Sequence, residues 1–143
     1  ISEENYQKIK FCGWKTGKEL YKSYLESDIV LAPGRCALEA MACGKPVIAI
    51  GSKKYNGLIN ESNWLNGMYT NFGGLGKKTN DYIEGSVESD LKLLIQDKTL
   101  RNKLGDLGVF ITNNFYNEEE INNRIVGIFE VYAKYSNKSS VSE

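Results

Sequence analysis

The run from Ser27 to Ile50 constrains this chain more than any other part of it. It reads Ser-Asp-Ile-Val-Leu-Ala-Pro-Gly-Arg-Cys-Ala-Leu-Glu-Ala-Met-Ala-Cys-Gly-Lys-Pro-Val-Ile-Ala-Ile. Ile29 to Ala32 is an apolar, β-branched stretch stopped by Pro33-Gly34. Cys36 to Ala42 is apolar apart from Glu39 and fits a short buried helix, and Gly44 stands where a left-handed cap would end it. Pro46 to Ile50 is a second apolar strand, closed by Gly51. Strands that are apolar throughout, not alternating, belong to parallel sheets covered on both faces, and the segment between these two has the length of a βαβ crossover. The expected fold is α/β: a Rossmann-like, doubly wound parallel sheet with helices on both faces. Ligands of such sheets lie at the carboxyl ends of the strands, here Gly13, Pro33-Gly34 and Gly51.

The flanks fit the same plan. Ile9 to Cys12 reads as a short strand ending at Gly13, and Lys18 to Ser27 as a helix carried by Leu20, Tyr21, Tyr24 and Leu25. Ser52 to Asn80 is a long stretch rich in Gly, Asn, Lys and aromatics, with a short strand near Met68 to Phe72. Three helices follow. Val87 to Gln96 begins after Ser86 with Glu88 and Asp90 in its first turn; Asp97 to Phe115 has the stripe Leu100, Leu104, Leu107, Ile111; Glu118 to Tyr135 has Ile121, Ile125, Ile128 and Tyr132 on one face. The length of 143 residues suits one domain, over 1–135, with a flexible polar tail over 136–143.

Composition removes several function classes. Lys and Arg balance Asp and Glu at 18 each, against the basic excess of a nucleic-acid binder. With no histidine there is no Ser-His-Asp or Cys-His arrangement, and the commonest zinc ligand is absent. Cys12, Cys36 and Cys43 form no CxxC pair and read as reduced, intracellular thiols that pack as small apolar groups. No run is long enough to span a bilayer. No metal site is expected.

The candidate chemistry sits at the turn into the 36–42 helix. A helix N-terminus presents unpaired amides to an anion such as a diphosphate. Gly34 would let a ligand approach the backbone, Arg35 would add a fork of donors, and Glu39 could accept from two vicinal ribose hydroxyls. Plainer roles stand beside these: Glu39 as a capping residue, Arg35 as a solvated loop residue, Trp14 as a packing aromatic, Cys36 and Cys43 as core, and the Gly73 to Gly76 cluster as a turn instead of a phosphate cradle.

The Leu38-Glu39-Ala40-Met41-Ala42-Cys43-Gly44-Lys45-Pro46-Val47-Ile48 run closely resembles the donor-binding segment of GT-B glycosyltransferases, above all family 4, in their C-terminal domain. The resemblance implies one half of a GT-B fold and a hexosyltransferase-type transfer of sugar from a nucleotide-diphosphate donor, a UDP-sugar first, to a hydroxyl acceptor. It implies that Glu39 holds the ribose, that Gly34, Arg35 and Cys36 meet the diphosphate and sugar, and that Gly13 and Trp14 lie near the base. It implies no cofactor or metal, a cytoplasmic enzyme with peripheral membrane association through the rest of the protein, and an acceptor domain N-terminal to Ile1, so that this piece alone is inactive. The chain departs from the pattern where relatives carry a first glutamate, eight positions before Glu39; here that residue is Leu31. The family's early basic pair is also not recognisable, and Arg35, Lys15 or Lys18 would have to substitute. A nucleotide-sugar epimerase of the same fold and a non-catalytic GT-B-like interaction domain are the alternatives.

Overall fold

The computed structural model describes residues 8–51, 54–73 and 80–136. In chain order it contains α1 (Gly17–Glu26), β1 (Val30–Leu31), α2 (Gly34–Ala42), β2 (Val47–Ile50), β3 (Lys54–Leu58), α3 (Trp64–Tyr69), β4 (Asn80–Asp81), α4 (Ser86–Gln96), α5 (Lys98–Phe115) and α6 (Glu118–Ser136). The fold is mixed α/β. The five helices expected from periodicity all form, with ends within two residues of the expected ones. Ser136 closes α6, and the rest of the expected tail lies outside the described residues.

The sheet corrects the all-parallel expectation. Its strand order is β1-β2-β3-β4, and β1 and β2 pair in parallel, Val30 with Val47 and Leu31 with Ile48. β2–β3 and β3–β4 are antiparallel. The physical reason is chain length. A parallel return needs a dozen or more residues, and only residues 51–53 separate β2 from β3. The register slips between Ala49 and Ile50, so Asn56 is the extra residue of a β-bulge, next to Gly57 at φ +76°.

Helices cover both faces of β2. Val47 and Ala49 join Tyr24 of α1, Ala37, Ala40 and Met41 of α2, and Ile111 of α5 in one core cluster. Ile48, pointing the other way, joins Leu58 of β3, Leu94 of α4 and Leu104 of α5 in a second. α5 reaches both because two glycines let it lie close on α2. A Cβ at Gly105 would sit 2.2 Å from the Gly44 carbonyl oxygen, and one at Gly108 would sit 3.0 Å from Met41 Cβ.

α2 ends as the sequence suggests. Gly44, at φ +69°, donates to Met41 O at 2.9 Å and Lys45 donates to Ala40 O at 3.1 Å, the paired bonds of a Schellman cap. Asp97 caps α5, its carboxylate accepting from Leu100 N at 2.8 Å.

Three local expectations are overturned. No strand forms over Ile9 to Cys12, where Phe11 is 79% exposed; among the described residues none of the strands β1 to β4 pairs with this run. No strand forms at Met68 to Phe72; α3 and the turn after it occupy that stretch. Asp90 is not in the first turn of α4, where Glu88 stands; it reaches across to β3.

Candidate functional site

The site begins at the junction of β1 and α2. Pro33 breaks the strand and Gly34, at φ +55°, opens the helix. Gly34, Arg35 and Cys36 therefore form the first turn, whose amides an α-helix leaves without intrahelical partners. The turn that follows α3 lies against this helix start. A Cβ on Gly34 would meet Asn71 Nδ2 at 3.5 Å, and one on Gly73 would meet Gly34 N at 3.9 Å. Asn71 and Phe72 both adopt left-handed backbone, φ 50° and 46°, which side-chain-bearing residues rarely do. Fully buried Phe72 and three backbone bonds hold the turn: Asn71 N to Met68 O, Phe72 N to Gly67 O and Gly73 N to Thr70 O. Sequence reasoning missed Asn71; its only signal was an Asn-rich stretch. Of the Gly73 to Gly76 cluster, Gly74 to Gly76 lie outside the described residues.

Beside α2 lies a cavity of about 610 Å³, walled mainly by the 14–17 segment, by Tyr21 and Tyr24 of α1, and by Arg35, Cys36 and Glu39 of α2. Four of the six candidate residues, Trp14, Arg35, Cys36 and Glu39, thus share one wall system. Gly34 starts the helix that carries three of them. Gly13, at φ +66°, directly precedes Trp14, and a Cβ there would meet nothing within 4 Å.

Three plainer readings fall away. Glu39 lies in the second turn of α2, not at N3, so it is not a capping residue. Trp14 is 92% exposed, so it is not a packing residue. Cys36 is exposed and lines the cavity instead of the core, and Cys43 is half-buried.

The Glu39 carboxylate is held from two sides. Arg35 Nε donates to Oε1 at 2.7 Å, an i,i+4 pair within α2. The Tyr24 hydroxyl donates to Oε2 at 3.2 Å. Tyr24 is buried, and burial first, then the Cys36 thiol and the Glu39 carboxylate, push its pKa well above the usual tyrosine value. It therefore remains a neutral donor to the carboxylate across the physiological range. Burial likewise raises the Cys43 thiol, and Glu39 adds to that against the opposing pull of Lys45. Lys15, a second cation in the wall, donates to Ser23 Oγ at 2.8 Å.

A smaller cavity of about 370 Å³ lies between β3 and α4, lined by Tyr55, Asn56, Gly57, Ile83, Ser86, Ser89 and Asp90. Asp90 Oδ2 accepts from Tyr55 OH at 2.6 Å and from Leu58 N at 2.8 Å, which ties α4 to the bulged strand. Among the described residues, no cluster of three or more His, Cys, Asp or Glu side chains could hold a metal ion.

A match to known families now bears on this arrangement. The family model for glycosyl transferases group 1 matches residues 2–106, well over half of the chain and all of the cavity wall. The chain belongs to the group 1 glycosyltransferases. No curated protein matches it significantly, and no solved structure does. Family membership carries glycosyl transfer in general and, with it, a nucleotide-sugar donor in general. It does not extend to the last two helical turns of α5 or to α6, which lie after residue 106. Among the described residues, no helix is long and apolar enough to cross a membrane.

Proposed function

We propose that this chain is the donor-binding, C-terminal half of a family-4-like GT-B glycosyltransferase, and that the large cavity takes the nucleoside diphosphate of the donor. The observation that carries this reading is the meeting of Trp14, Glu39 and Arg35 in one cavity beside the start of α2.

Each part of a nucleotide sugar finds matching chemistry there. The exposed indole of Trp14, with Tyr21 near it in the same wall, offers a face for the base. The Glu39 carboxylate, steadied by Tyr24, accepts from the vicinal ribose hydroxyls. The first-turn amides of α2 and the Arg35 guanidinium meet the diphosphate. Gly34 opens the helix that carries these groups, at φ +55°, Cys36 sits at the sugar end and Gly13, at φ +66°, lets the chain turn into Trp14.

The catalytic contribution of this half is then electrostatic. Charge develops on the leaving diphosphate as the glycosidic bond breaks, and oriented amides with a guanidinium stabilise it without reorganising. The scheme uses no metal and no cofactor. The acceptor is held by a separate N-terminal domain, so this chain alone binds nucleotide weakly and does not turn over. The enzyme acts in the cytoplasm, a UDP-sugar is the first donor to test, and any membrane association belongs to the acceptor half.

One observation favours a second reading. Leu31, at the position of the first family glutamate, lies in β1 and offers no carboxylate to the sugar. A GT-B half that has become an interaction domain would show that change. Titration with UDP, GDP, ADP and CMP, followed by NMR or calorimetry, separates the two. The donor reading expects one diphosphate to bind and Glu39→Ala to weaken it by about 1–3 kcal/mol, the loss of hydrogen bonds to a charged group. Absence of binding by every nucleotide at millimolar concentration would favour the interaction domain.

A further inference from the structure

The carboxylate assigned to the ribose is already occupied, and its two partners differ in kind. Tyr24 is 8% exposed and packs in the core cluster, which holds its hydroxyl beside Oε2 at 3.2 Å. Arg35 has a side chain 89% exposed, and its hydrogen bond among the described residues is the one to Glu39 Oε1. It can swing away at little cost. It also stands in the first turn of α2, where a cation opposes the helix dipole and an anion is favoured. A guanidinium in that position is paired internally by Glu39 and would be paired better by an anion arriving at the helix start.

Resting on the donor-site reading above, we infer that Arg35 is a specificity-determining residue: it closes the Glu39 carboxylate against nucleosides and releases it to nucleoside diphosphates. A nucleoside must break the Arg35–Glu39 pair to seat its ribose and gives the guanidinium nothing in exchange. A diphosphate offers the guanidinium a bidentate site one helical turn away, so the same movement that frees Glu39 binds the phosphate. Both side chains line the cavity, which places the exchange inside the ligand's volume. Lys15 is held by Ser23 and makes no such exchange with Glu39.

The test is a two-ligand comparison on the 143-residue chain, wild type against Arg35→Ala, by calorimetry or NMR titration. The probes are uridine and UDP, with guanosine/GDP and adenosine/ADP run in parallel. Arg35 is exposed, so the variant is expected to fold, and unchanged amide dispersion checks this. For the pair whose diphosphate binds, Arg35→Ala is expected to take the nucleoside about two- to five-fold more tightly, the strength of an exposed ion pair. The same variant is expected to take the diphosphate about ten-fold less tightly, the loss of a charged phosphate contact. The opposite signs are the signature, because a merely structural role would move both ligands the same way. The Arg35 Nε–H resonance of the wild type should also shift on adding the diphosphate. If nucleoside affinity stays level or falls while diphosphate affinity falls, Arg35 is a plain phosphate contact and the inference is overturned. If neither affinity changes, it is overturned as well. If no nucleoside or diphosphate binds either protein, the donor-site reading itself fails, a result distinct from the other two.

Discussion

At the scale of single residues, the site turns on one carboxylate and what holds it. Tyr24 contributes a hydrogen bond to Glu39 and an apolar ring to the core, and these two roles separate in Tyr24→Phe. The ring survives the change, and the half-exposed carboxylate can turn to water. We expect the variant to lose only about 0.5–1.5 kcal/mol of stability, the worth of an ordinary hydrogen bond, while binding the cognate diphosphate more weakly. Thermal unfolding and a nucleotide titration on the same sample check both halves of the statement. The position of Glu39 was legible in the sequence because the strand-Gly-helix pattern sets it within the first two turns; Arg35, expected in the turn before the helix, stands inside its first turn instead. Tyr24 was not legible as a site residue. Helical spacing marks a tyrosine as apolar and inward, and its hydroxyl partner comes from an element 15 residues further on. Asp90 was hidden for the same reason: its partners, Tyr55 and Leu58, are 35 and 32 residues away.

At the scale of elements, the close approach of α5 to α2 is the contact most easily broken. The Cβ of Gly105→Ala would fall 2.2 Å from a backbone carbonyl oxygen, which no rotamer change can relieve. The helices must separate, and overpacking of this kind costs about 1–3 kcal/mol. An unfolding free energy lowered by that amount in denaturant titration is the expected result, and a value matching wild type would show that α5 shifts freely. Five helices, α1, α2, α4, α5 and α6, were readable because a 3.6-residue stripe is a local signal; the six-residue α3 is too short to show one. β3 was not: Lys-Tyr-Asn-Gly-Leu has no alternating apolar face, and β2 makes it a strand through its ladder. Its direction follows from the short 51–53 connection, a cue present in the sequence that the apolar character of the neighbouring strands overrode.

At the scale of the whole molecule, α6 stands apart. It buries no residue, and Ile128, Phe129, Tyr132 and Tyr135 on it are each 69–72% exposed. A chain ending at Asn117 is therefore expected to unfold cooperatively with a Tm within about 5 °C of the longer chain, since the change removes little buried area. Circular dichroism melts would decide this. The tyrosines set a second global property. Burial raises Tyr24 and Tyr55 well above the ordinary value of 10.0, with Cys36 and Glu39 adding to the first and Asp90 to the second. The folded state then holds these protons more tightly than the unfolded chain. Their contribution to stability is fully present below about pH 10 and is lost as pH rises beyond it. Tyr55→Phe should flatten that alkaline fall, which denaturant titrations between about pH 9 and 11.5 would measure.

The donor-site proposal requires that nucleotide bind in the cavity beside α2. The chain has two tryptophans, so a labelled sample gives two indole N–H signals. Trp14 is exposed in the wall of that cavity, whereas Trp64 packs against Phe115 with ring centroids 5.1 Å apart. On titration with UDP and its purine counterparts, one diphosphate is expected to move the Trp14 indole signal and leave that of Trp64 in place, with the Trp14 shift much reduced in Glu39→Ala. Movement of Trp64 alone, or saturable binding that leaves Trp14 untouched, would contradict it.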